Sequence, residues 1–103
     1  MDVYLTRPLC NVKAEGIFNP EDRSIVIKAG ATVSVSVSDN LHDKGGNKII
    51  KLRSLYCEEL ITTRDIKFNS PSAAANFLTG TSSNGLIVWK DKETGKAIKE
   101  FLL

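Results

Sequence analysis

Polar and apolar residues alternate over much of the first third of the chain, and this pattern predicts strands. Val3-Tyr4-Leu5 reads as a short strand stopped at Arg7-Pro8, because proline lacks the N–H that a ladder needs. Lys13 to Phe18 and Ser24 to Ala29 read as two further strands. They are joined by Asn19-Pro20-Glu21-Asp22-Arg23, a run of turn formers. Gly30 marks a bulge or bend. Thr32 to Ser38 alternates strictly, with Val33, Val35 and Val37 on one face and serines on the other. That is the period of a half-buried strand. Asp39 to Gly46 is a polar loop ending in Gly45-Gly46.

The spacing then lengthens. Ile49, Leu52, Tyr56 and Leu60 recur at three and four, which predicts an amphipathic helix over about 47–59, capped by Asn47, with Glu58-Glu59 facing solvent. Ser70 to Gly80 carries a full set of helix signals: Ser70 as cap, Pro71 at the first helical position and Gly80 as the left-handed stop. Asn84-Gly85 predicts a tight turn into a strand, Leu86 to Lys90, in which Trp89 shares a face with Ile87. A second turn, Asp91 to Gly95, leads to a short strand or helical turn over Lys96–Leu103. The expected fold class is α+β: one domain over residues 1–103, a small, mainly antiparallel sheet with two helices.

Composition narrows the function classes. With 42% hydrophobic and 25% charged residues the chain has the material for one core. No apolar run approaches the roughly 20 residues of a membrane span, and Met1-Asp2-Val3-Tyr4 lacks the basic and apolar regions of a signal peptide. The expected location is cytoplasmic, without a membrane partner. Cys10 and Cys57 are expected to be small core residues rather than a disulfide. With His42 the only histidine, no metal site or cofactor is implied. His42 has no cysteine or serine placed to make a nucleophile–base pair, so the chain does not read as an enzyme.

Charge is uneven. Residues 1–43 hold four basic and six acidic side chains, whereas residues 44–103 hold ten and six. The ordinary reading is a mixed solvated surface; the sharper one is a basic C-terminal half that faces a polyanion.

The run Phe68-Asn69-Ser70-Pro71-Ser72-Ala73-Ala74-Ala75, followed by Gly80, Asn84-Gly85 and Trp89-Lys90-Asp91-Lys92, resembles domain of unknown function 4357. Ala14 to Phe18 and Ile25 to Gly30 resemble that family's paired strands, so the likeness runs from Val3 to Phe101. The family is a small module often found after GIY-YIG nuclease domains in bacterial proteins. A related family with a similar motif accompanies restriction and DNA-modification enzymes and is thought to bind DNA. The family pattern has a tryptophan directly after Asn-Gly, where this chain has Leu86. An aromatic ligand contact is then either weakened here or passed to Trp89.

The resemblance implies a non-catalytic accessory module with DNA or another nucleic acid, and a nuclease or methyltransferase, as partners. Its candidate surface combines Ser70 and Ser72 at the helix start, Ser83 and Asn84 in the loop, Trp89, and Lys90, Lys92 and Lys96. Each has a plainer structural reading. Ser70 can simply cap its helix, the hydroxyls of residues 81–84 can hold a loop, and Trp89 can be a core residue beneath the Pro71 helix. A second basic cluster is Lys48, Lys51 and Arg53. The alternative function is a protein-interaction or assembly module that offers the Val33–Ser38 edge to a partner strand.

Overall fold

In the computed structural model, which describes residues 1–35 and 46–102, the strands and helices follow the chain in this order. First come β1 (Asp2–Arg7), β2 (Val12–Phe18), β3 (Ile25–Ile27), helix α1 (Gly46–Tyr56) and β4 (Cys57–Glu58). Then come β5 (Ile61–Thr62), β6 (Ile66–Phe68), helices α2 (Pro71–Thr79) and α3 (Gly85–Val88), and β7 (Lys90–Asp91). Short 3-10 turns occupy Pro8–Cys10 and Ile98–Phe101. The main sheet has the order β6-β3-β2-β1-β7 and is antiparallel throughout, while β4 and β5 make a separate hairpin. The fold is α+β.

The two-residue period explains why the sheet has a dry side and a wet side. Val12, Ala14, Gly16 and Phe18 of β2 are buried, while Lys13, Glu15 and Ile17 are exposed. Val3 and Leu5 of β1, with Ile25 and Ile27 of β3, continue the dry side. Ala74, Ala75, Phe77 and Leu78 of α2 pack into the same core, and Trp89 and Ile98 complete it. Small alanines bring α2 close to the strands. Ser70 caps that helix by accepting a hydrogen bond from the Ala73 N–H at 3.1 Å, and Gly80 ends it at φ 70°, as its sequence predicts.

Beside β2 the pairing is interrupted. Gly16 faces Ile27 and Lys13 faces Thr32, so three steps along β2 are matched by five on its neighbour. The two extra residues form a bulge around Gly30, which has φ 91°. Its N–H groups are all satisfied: Ala29 donates to Asp65 Oδ1 (2.9 Å), Gly30 to the Thr62 carbonyl (2.8 Å) and Ala31 to Thr62 Oγ1 (3.0 Å).

Several expectations fail for identifiable reasons. Thr32–Val35 is not a strand, because its backbone bonds go to three different places. Thr32 donates to Lys13, Val33 to Leu60 and Ser34 to Leu78. Val33 is buried while Val35 is 83% exposed, so these two valines do not share a face, and among the described residues the segment offers no strand edge. Ser36 to Ser38, like His42, lies outside the described residues.

Helix α1 stops at Tyr56 rather than near 59, and it begins at Gly46, so Asn47 lies inside it. Glu58 enters a hairpin whose turn residues, Glu59 (φ 51°) and Leu60 (φ 67°), are both left-handed. The two cysteines are free, and Cys10 is exposed rather than in the core. Among the described residues no helix is long and apolar enough to cross a membrane.

Candidate functional site

The residues singled out from the sequence fall into two groups with different work to do. Ser70, Ser72, Ser83, Asn84 and Trp89 surround the start of α2 and the start of α3. Gly85 is the first residue of α3 and is buried against the α2 backbone. A Cβ there would overlap the main-chain atoms of Pro71 and Ser72. Its N–H donates to Ser72 Oγ at 2.9 Å. Asn84 accepts from the Leu86 N–H at 3.1 Å and so caps α3. Asn76 Oδ1 accepts from the Ser83 N–H at 2.8 Å, and the Thr79 and Ser83 hydroxyls lie 3.2 Å apart.

Trp89 closes this clip. It is fully buried, and its indole N–H donates to the Pro71 carbonyl at 3.1 Å. The expectation that Asn84-Gly85 turns into a strand carrying Trp89 as a stacking platform is therefore corrected. Residues 85–88 form one helical turn, and the ring is sealed under α2. At the start of α2 the Ser70 hydroxyl accepts from the Ala73 N–H and the Ser72 hydroxyl from the Gly85 N–H, so both serve the clip.

Lys90 and Lys92 belong to the second group. Trp89 is extended (φ −79°, ψ 132°), so the chain alternates from there. Trp89 points inward and Lys90 outward, opposite Tyr4 of β1. Lys92 reaches across to Glu15 of β2, with Nζ 3.0 Å from Oε1. Lys13 and Lys28 flank the same carboxylate and, with Ala29 to Thr32, line a shallow groove of about 330 Å³. Lys92, then Lys28 and Lys13, hold the Glu15 carboxyl below the usual carboxylate range. Three lysines thus stand around one carboxylate on the wet side of the sheet, and Lys90 lies one strand further on, across Tyr4. Asp2 and Asp65 lie at its margins, and Asp65 is committed to the Ala29 N–H. Lys96 sits apart, in the turn beyond β7, where its N–H meets Thr94 Oγ1 at 3.2 Å.

Arg53 proves to be structural. Its guanidinium donates to the carbonyls of Phe77 (2.7 Å) and Leu78 (3.1 Å) at the end of α2, and to Ser34 O (2.8 Å) and Oγ (3.0 Å). A cation at a helix C-terminus meets the negative end of the dipole and the unpaired carbonyls together. Nothing in the local sequence distinguishes it from a surface arginine. Tyr4 and Glu15 were also missed, since only the register of β1, β2 and β7 brings them beside Lys90 and Lys92.

Among the described residues no three His, Cys, Asp or Glu side chains gather as a metal site. Comparison with curated proteins and with solved structures finds no match. The model of one family does match, over residues 4–102, a range that includes the clip; the chain belongs to the family designated domain of unknown function 4357.

Proposed function

We propose that the domain is a non-catalytic accessory module that binds nucleic acid, with DNA handled by a nuclease or a restriction or modification enzyme as the natural setting. That reading puts it in the cytoplasm of a bacterial cell. The observation that carries it is the gathering of Lys13, Lys28 and Lys92 around Glu15, with Lys90 across Tyr4, on an open sheet face. Lysines held within a Debye length of one another act together on a polyanion, and the release of its counterions drives binding. Labelled single- and double-stranded oligonucleotides titrated at low salt should bind, with affinity falling steeply as salt rises. Flat titrations with both would end the proposal.

A second reading has its own support. Ile50 and Leu55 of α1 and Leu60 and Ile61 of the β4–β5 hairpin remain exposed apolar side chains. Such a surface suits assembly with a partner enzyme. Mixing the domain with a nuclease or methyltransferase encoded beside it, and reading complex formation by sedimentation, tests this directly; Leu55→Asp should abolish the complex.

A further inference from the structure

Charge is only part of what the open face presents. Tyr4 is half-buried on β1, next to the edge strand, with Glu15 directly across one ladder and Lys90 directly across the other. Direct cross-strand partners share a face about 5 Å apart. In the next row Asp2, Ile17 and Val26 follow in register, so the tyrosine has Asp2 beside it on β1 and the apolar Ile17 diagonally across. Lys92 crosses over β1 to reach Glu15, and Lys13 and Lys28 approach the same carboxylate from the groove.

We propose that this face binds a single strand of nucleic acid, one base lying on Tyr4 and one phosphate taken by the lysines that Glu15 gathers in the free domain. The inference rests on the nucleic-acid reading above and adds to it the surface and the strandedness. A duplex keeps the faces of its bases inside the stack, so a half-buried ring on a broad sheet has nothing to stack on. An unpaired base has a free π-face, and stacking tolerates any sequence.

Glu15 fits the role of a placeholder. Its carboxylate offers Lys92 the same kind of charged oxygen that a phosphate would, in an exposed ion pair. Such pairs are weak and easily exchanged. A phosphate brings more oxygens than a carboxylate and can meet Lys13, Lys28 and Lys92 together. Ionised Glu15 therefore opposes binding and sets a threshold for it.

The test is fluorescence anisotropy with a labelled oligothymidylate and a duplex of equal length, using wild type, Tyr4→Leu, Tyr4→Phe and Glu15→Gln, each checked for native circular dichroism. Tyr4→Leu should weaken the single-strand complex by about 5- to 150-fold, the range that the loss of one stacked base allows. Tyr4→Phe should retain it. Glu15→Gln should tighten binding and steepen its salt dependence by up to roughly 0.7 in log–log slope. In wild type, amide shifts on adding the oligonucleotide should map to β1, β2 and β7. Suppose that oligonucleotides bind but Tyr4→Leu and Glu15→Gln titrate like wild type, that only duplex binds, or that the shifts fall on α2 and α3. The inference then fails while the nucleic-acid reading stands. If nothing binds, both fall. Should Tyr4→Leu not fold, Glu15→Gln and the amide shifts decide.

Discussion

Trp89 is held by burial on all sides and by one hydrogen bond, and these can be separated by mutation. Trp89→Ala should destabilise the domain by about 3–5 kcal/mol in urea unfolding, the usual cost of emptying an aromatic site in a core. Trp89→Phe should cost less, since it keeps most of the apolar contact and leaves only the Pro71 carbonyl without its donor. Arg53 offers a complementary case. Arg53→Met keeps the aliphatic stem but leaves the Phe77 carbonyl without its donor and takes the guanidinium from Ser34 and from the Leu78 carbonyl, which keeps the Ser34 N–H. It should lower stability by about 2–3 kcal/mol. A surface arginine would give nearly no change, so a result within about 0.5 kcal/mol would count against the capping role.

At the scale of elements, what was legible in the sequence depended on whether the signals were local. Helix α2 was readable because Ser70, Pro71 and Gly80 act within the helix itself. Residues 85–88 were not, because Leu86-Ile87-Val88-Trp89 has the composition of a strand. Contacts with α2 override that preference: Gly85 must sit on the Pro71 backbone and Trp89 must enter the core. The valine alternation after Thr32 misled for a related reason, since periodicity gives no information about whether one neighbouring strand or several segments will accept the bonds. Strand β6 has three residues, too few to establish a period. The lysines of the open face were partly foreseen, whereas their carboxylate and the tyrosine beside them depend on register, which no single segment encodes.

The β4–β5 hairpin shows the same limit and supplies a test. Glu59 and Leu60 occupy the two left-handed positions that a two-residue hairpin turn reserves for Asn-Gly. Left-handed backbone costs a side-chain-bearing residue about 1–2 kcal/mol. Glu59→Asn with Leu60→Gly should therefore raise stability by about 1 kcal/mol in urea unfolding. A loss instead would mean that the half-exposed Leu60 side chain contributes more through packing than its turn position costs.

For the molecule as a whole, the sheet divides two chemistries. The radius of gyration is 12.6 Å, close to the roughly 13 Å expected of a single compact unit this long. One buried cluster joins the inner faces of β1, β2 and β3 to α2, Trp89 and Ile98. The chain's single tryptophan therefore reports on the core, while Tyr4 lies on the opposite side of the sheet. Acrylamide should barely quench the native tryptophan emission, because no part of the ring meets solvent. In urea, the red shift of that emission should coincide with the loss of far-UV circular dichroism, as one cooperative transition requires. The separation of faces makes a sharper demand under native conditions. Adding single-stranded oligonucleotide to saturation should leave tryptophan emission unchanged while anisotropy of the labelled strand rises, since the bound base lies across the sheet from the indole. Quenching of Trp89 in proportion to occupancy would place the ligand on the α2–α3 side and return the site to the clip, against the burial that now closes it.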